Sequence, residues 1–201
     1  MATSSGRTRT RLSPEQRKEQ LLKFALESFS KRGIGRAGHA DIADMAHVSV
    51  ATVFNYFSTR EELVDAVLNE AEREFHQLIL ESTNAEYQDV RSVLSHVAVQ
   101  LIDAALEDKD WLKVWFEWST STRDDIWPNF VQGKNVVLDH FTVLFAQGIE
   151  SKELETTHTP LELARMFDGI CYILYLQTHQ QPDKDALACA PADGYIDMLC
   201  S

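Results

Sequence analysis

Ala51, Thr52, Asn55 and Tyr56 bring together two methyl-bearing side chains, an amide and a phenol, with no charge among them. The chemistry these groups suit is the reading of a base pair. Asn55 can pair bidentately with adenine in the DNA major groove, and the methyls of Ala51 and Thr52 can meet the thymine methyl. The hydroxyl of Tyr56 suits a backbone phosphate, and Thr10, His39, Ser49 and Arg60 are flanking candidates for the same contact. These groups act together only if one helix turns them to the same side. Setting Val53, Phe54 and Phe57 inward at spacings of three and four, with Ile42, Ala43 and Val48, leaves Ala51, Thr52, Asn55 and Tyr56 outward. The competing reading is the ordinary solvated face of a small helical bundle; an outward aromatic beside Asn and Thr in a basic segment weighs against it.

Other chemistries find no support. There is no GxSxG, no HExxH and no nucleophile beside a base, so no enzyme is expected. The histidines at 39, 47, 76, 96, 140, 158 and 179 are never paired at i, i+4, and Cys171, Cys189 and Cys200 form no CxxC, so neither metal nor cofactor is expected. Residues 33–38 match GxGxxG, but a capped amphipathic helix precedes them where a dinucleotide site requires a strand.

The elements that must position the reading groups follow from period and caps. Ser13-Pro14-Glu15-Gln16 is a capping box with proline at the first helical position, opening a helix over 14–32 whose apolar face holds Leu22, Ala25, Leu26 and Phe29. After the glycines come a short helix over 39–46, a turn at His47-Val48-Ser49, and a third helix over 50–56 capped by Ser49. Thr59-Arg60-Glu61-Glu62 is a second capping box, opening a long fourth helix. Two helices joined by a tight turn form a helix-turn-helix whose second member enters the major groove. Further on, 90–106, 111–119, 126–150 and 160–180 read as helices, with a short one after Pro191; the fold class is all-α. Two domains are expected, 1–60 for DNA and 61–201 as a helical body.

Charge supports that division. Residues 1–60 carry ten basic and five acidic side chains, a net of +5, which leaves −17 for the rest of a chain whose total is −12. Phosphate attraction is screened within about 8 Å at physiological salt, so a basic head can hold DNA while an acidic body is repelled from it. Arg7, Arg9 and Arg11 precede the first helix with nothing apolar to anchor them; alternating arginines in such an arm can enter a narrow, A·T-rich minor groove. No apolar run approaches the roughly 20 residues of a membrane span, and a cytoplasmic, nucleoid-associated protein is expected.

The string IADMAHVSVATVFNYFSTREEL at 42–63 resembles the DNA-binding signature of the TetR family. The strings RTRLSP at 9–14, RGIGR at 32–36, GHADIA at 38–43, VSVATVFNYF at 48–57 and WLKVWFEWS at 111–119 narrow the resemblance to the quorum-sensing master regulators of vibrios, the HapR/LuxR/SmcR type, and GICY at 169–172 and DMLC at 197–200 extend it. Three positions depart from the pattern. His47 stands where most such proteins have glycine, and Thr8 and Ser58 where the nearest have proline; positive φ at His47 is tolerable for histidine.

The resemblance implies a homodimer that binds a quasi-palindromic double-stranded operator, represses some promoters and activates others, and places Arg9 and Arg11 among its base-reading residues. The alternative within the family is a ligand-released repressor of a neighbouring efflux or catabolic gene. For the body, Phe75, Leu78, Ile79, Trp111, Trp115, Trp118, Phe130, Phe167 and Cys171 are candidates to line a cavity for a small apolar ligand, against the default that clustered aromatics form core. The helix over 160–180 carries Leu163, Met166, Ile170, Leu174 and Tyr175, which are expected to meet their counterparts across a two-fold axis.

Overall fold

The structure, a computed structural model, describes residues 12–84, 89–180 and 190–200. Every regular element among them is a helix: α1 (Pro14–Arg32), α2 (His39–Ala46), α3 (Val50–Phe54), α4 (Arg60–Thr83), α5 (Val90–Leu106), α6 (Asp110–Ser119), α7 (Trp127–Glu150), α8 (Pro160–Gln180) and α9 (Ala190–Cys200). No strand joins them, so the glycine-rich segment has no dinucleotide-binding context.

The caps explain the boundaries. Ser13 Oγ accepts the Gln16 N–H at 3.2 Å while Gln16 Oε1 accepts the Ser13 N–H at 3.0 Å, satisfying two donors that a helix start would otherwise orphan. α1 stops at Gly33, whose φ of 86° is open to glycine and strained for any other residue. Neither Gly35 nor Gly38 has a neighbour that an added Cβ would meet, so within 33–38 only Gly33 is required by conformation. Thr159 and Glu162 reproduce the reciprocal box at the start of α8, with Glu162 accepting the Thr159 N–H at 2.8 Å.

The chain divides into two compact units, one ending at Val67 and one beginning at Leu68. The expected boundary after residue 60 therefore moves two turns into α4, because Leu63, Val64 and Val67 are buried with the first unit. In that unit α1 packs on α2 and α2 on α3, around Leu21, Ala25, Phe29, Ile42, Val53 and Phe57. Leu21 is fully enclosed, whereas Leu22, expected on the apolar face, is only half-buried.

In the second unit α8 packs against α5 and α7, and α9 against α5 and α8. Leu94, Val97, Ala98, Phe141, Phe145, Phe167 and Ile196 fill its centre. A Cβ on Gly148 would come within 2.7 Å of Val90 Cγ2, so glycine is what lets α7 pass the start of α5. The apolar pattern over 126–150 forms the single helix α7.

Candidate nucleic-acid interface

α2 begins with the Gly38 N–H bonded to Asp41 Oδ2 at 3.0 Å and ends at His47, whose φ of 52° and ψ of 46° place it in the left-handed region. That reversal lets the Val48 N–H return to the Ala43 carbonyl at 3.0 Å. Ser49 then caps α3, its hydroxyl accepting the Thr52 N–H at 3.1 Å and lying 2.8 Å from Thr52 Oγ1. The expected helix over 50–56 ends at Phe54 and runs on as a turn, with Asn55 as its C-cap.

The side chains that face out differ in part from those expected. Val53 and Phe57 are fully buried as expected, and Val48 is half-buried. Phe54, expected inside, is 45% exposed: the Phe57 N–H still bonds the Val53 carbonyl at 3.0 Å, so Val53 and Phe57 share the inner face and Phe54, one residue round from Val53, does not. Ala51 and Asn55 are exposed, and Thr52 and Tyr56 half-buried. Val50 joins the outward set at 41% exposed. The spacing rule that found Ala51 and Asn55 gave no sign of Val50 or Phe54.

One of the expected phosphate contacts is spent inside the unit and a second is engaged there through one nitrogen. His39 is buried, its ring stacked on Phe54 with centroids 3.9 Å apart and its Nε2 2.7 Å from the Phe57 carbonyl oxygen. A carbonyl can only accept, so Nε2 carries a proton and His39 is an internal brace rather than a phosphate ligand. Arg60 donates to the Ile34 carbonyl at 2.8 Å, tying the glycine-rich turn to the first residue of α4. Ser49 remains exposed, with its hydroxyl already engaged as the α3 cap. Arg9, Thr10 and Arg11 lie outside the described residues.

Ser58 stands where proline was expected and uses the N–H that proline lacks. Its N–H and hydroxyl both donate to Glu62 Oε2, at 2.7 and 2.6 Å. The hydroxyl first, and the N–H second, hold the Glu62 carboxyl below the usual carboxylate range. The second capping box is thus split: Thr59 Oγ1 accepts the Glu62 N–H at 3.0 Å, while the Glu62 side chain reaches back one residue further.

In the second unit the nine residues proposed to line one cavity do not surround one. Phe75 stacks on Trp115 at 4.4 Å, Trp115 meets Phe130 at 5.0 Å and Trp118 at 6.0 Å, and Phe167 packs edge-on to Phe141 at 4.9 Å. The aromatic rings fill one another's spaces, as clustered aromatics usually do. Trp115 and Phe130 border a cavity of about 240 Å³ that Lys134 and Asp168, ion-paired at 2.7 Å, also line. Leu78 and Trp111 instead border a polar cleft of about 370 Å³, and Ile79 an apolar groove of about 350 Å³. Burial pushes the Cys171 thiol far above its usual range and leaves it an inert packing group.

The proposed dimer residues also separate. Leu163 and Leu174, each 1% exposed, lie in the core of their own subunit and cannot cover a partner. Tyr175 stacks on Phe116 at 4.1 Å and is likewise an internal contact. Met166, Ile173 and Leu176 on α8 and Met198 on α9 face outward, with Ile170 half-buried beside them. No group of metal-ligating side chains and no helix long and apolar enough to cross a membrane occurs among the described residues.

Comparison with known proteins accords with this geometry. Residues 21–67, which span most of α1 through the first part of α4, match the signature described as bacterial regulatory proteins, tetR family. The chain is 44% identical over 200 residues to the HTH-type transcriptional regulator LuxR of Vibrio harveyi, covering 100% of this chain and 97% of that protein. Its fold is shared with a TetR-family transcriptional regulator from Agrobacterium tumefaciens, at a TM-score of 0.79 and 16% identity over 94% of this chain and all of that one. It is also shared with the transcriptional regulator FadR from Bacillus subtilis in complex with stearoyl-CoA, at a TM-score of 0.75 and 16% identity over 91% of this chain and 97% of that one. All three are described as transcription regulators. Identity at this level along the whole chain, with a helix-turn-helix to carry it, makes this protein a DNA-binding transcription regulator of the TetR family, of the LuxR type.

Proposed function

We propose that the protein is a quorum-sensing master regulator that binds quasi-palindromic operators as a homodimer in the cytoplasm, at the nucleoid, repressing some promoters and activating others. The observation that carries this reading is the full-length similarity to the Vibrio harveyi LuxR regulator. It is supported by an exposed α3 face bearing Asn55 and Ala51 in a basic head. In this reading Ala51, Thr52 and Asn55 meet base edges from α3, Ser49 and Tyr56 approach phosphates, and Arg9 and Arg11 enter the flanking minor groove. Met166, Ile170, Ile173 and Leu176 of α8, with Met198 of α9, cover one another across the two-fold axis.

Two measurements test it. After selection of the operator from random duplexes, Asn55→Ala is expected to cost about 1 to 3 kcal/mol on the selected site and almost nothing on unrelated DNA. An equal loss on both would remove the base-reading role. Transcripts of a strain lacking the protein, profiled at low and high cell density, should change in both directions at many genes and mainly at one density. Derepression of a single adjacent operon, independent of density, would favour a ligand-released repressor. That second reading retains one observation, the small cavity beside Trp115 and Phe130.

A further inference from the structure

The large exposed hydrophobic side chains among the described residues of the first unit are Val50 and Phe54, and both stand on α3. They are four residues apart, as are Ala51 and Asn55, so the outer side of α3 is two parallel rows: Val50 with Phe54, and Ala51 with Asn55. Three of those four side chains are hydrocarbon. No basic residue occurs between Val50 and Tyr56, so α3 has none of the arginine or lysine forks that usually recognise guanine. The nearest one downstream, Arg60, lies beyond α3 at the start of α4 and bonds the Ile34 carbonyl through Nη2.

Phe54 is also held still. Its inner face lies flat on His39, at an interplanar angle of 7°, and His39 is itself fixed by the Phe57 carbonyl. An exposed phenylalanine free to turn would lose rotamer freedom on meeting a ligand, and this one has already lost it. A rigid, uncharged apolar ridge in a head of net charge +5 calls for an apolar feature on an anionic partner. In the DNA major groove that feature is the C5 methyl of thymine.

We propose that Val50 and Phe54 read thymine methyl groups. The operator half-site then carries thymines at the positions facing these two residues, beside the adenine paired by Asn55. This rests on α3 being the base-reading helix. The ridge is continuous with Ala51 and Asn55, and its occupant is the thymine of a bound duplex rather than another protein.

The test replaces each thymine of the selected operator, one at a time, with deoxyuridine, which removes the methyl and keeps the Watson–Crick pair. Because the C5 methyl lies in the major groove, minor-groove preferences set by the N-terminal arm are unaffected. Loss of one buried methyl is expected to lower affinity about fourfold at the positions facing α3. With Phe54→Ala protein one of those penalties should vanish, and with Val50→Ala another, whereas Phe54→Leu should retain a partial one. Circular dichroism of each variant, unchanged because both residues are exposed, guards against unfolding. Uracil tolerated at every position, or penalties identical in wild type and both variants, would overturn the proposal. Asn55→Ala separates the two levels. If it abolishes discrimination while uracil is tolerated, only methyl reading fails; if discrimination and every uracil penalty survive in all three variants, α3 is not the reading helix and both fail.

Discussion

At His47 the backbone reverses between α2 and α3 with φ at 52° and ψ at 46°. Left-handed backbone costs an L-residue roughly 1 to 2 kcal/mol, somewhat less for histidine, while glycine adopts it freely but loses about 0.4 to 1 kcal/mol more in unfolded-chain entropy. The first effect outweighs the second, so His47→Gly is expected to raise stability by about 0.5 kcal/mol. His47→Val, β-branched and poorly suited to positive φ, should lower it by more than 1 kcal/mol, on the order of the left-handed penalty itself. Urea midpoints for the three proteins check the order; glycine falling below histidine would mean that the ring makes a contact worth more than the strain. The positive φ at this position was legible in the sequence, because one residue type stood where another is usual. His39 was not: a histidine at a helix start looks the same whether it faces phosphate or core. Its role is decided by the Phe57 carbonyl, eighteen positions away and 2.7 Å from Nε2.

Helix existence and most helix ends were legible because caps are written locally. Ser13 with Gln16 and Thr159 with Glu162 set their helices where the spacing said they would. The end of α3 carries only a weak mark, Asn55 at the C-cap, which the apolar spacing of Val53 and Phe57 overrides, so that Phe54 reads as core with them. Likewise α8 carries apolar side chains on both sides, and periodicity alone could not tell Leu174, buried, from Ile173, exposed. Between α4 and α7 one element contact has a pH signature. His140 Nε2 lies 2.8 Å from Thr83 Oγ1, and burial lowers the His140 pKa from its ordinary value of 6.5. With the folded value depressed, the unfolded chain takes up the proton first, so the stability of this contact is complete above about pH 6.5 and declines as pH falls toward the folded value. His140→Gln, which keeps a donor but does not titrate, should give a shallower acid limb in urea midpoints between about pH 7 and 5. An acid limb of unchanged steepness would assign the titration to other groups.

For the whole molecule, the proposed dimerisation and DNA reading are one problem, because each head presents a single short α3. Charge distribution made the DNA-binding end legible from sequence: +5 in residues 1–60 against −17 beyond. The face proposed to cover a second copy was less so, since Leu163 and Leu174 are as apolar as Met166 and Ile173 yet lie in the subunit core. Two consequences follow for substitutions on α8. Leu174→Glu buries a charge in that core and should unfold the subunit, whereas Met166→Glu with Ile173→Glu should give a folded monomer by sedimentation, with helical content intact. That monomer isolates what the second head contributes. In the proposed dimer, once one head is seated the other is held near its half-site at an effective concentration around the millimolar level, so losing the tether should weaken operator binding by a factor on the order of 10² or more. Each head neutralises its own phosphates, so the slope of log affinity against log salt should fall to about half. Binding to random DNA should fall much less, and the ratio of specific to nonspecific affinity should collapse with the second set of base contacts. The two added carboxylates per chain could mimic part of this by repelling DNA. A neutral pair, Met166→Ser with Ile173→Ser, removes that ambiguity: as a monomer it should show the same halved slope and the same lost ratio. A sedimentation-proven monomer that kept wild-type operator affinity and salt slope would show that one head suffices, and that the two-fold pairing of α8 and α9 is not what the operator reads.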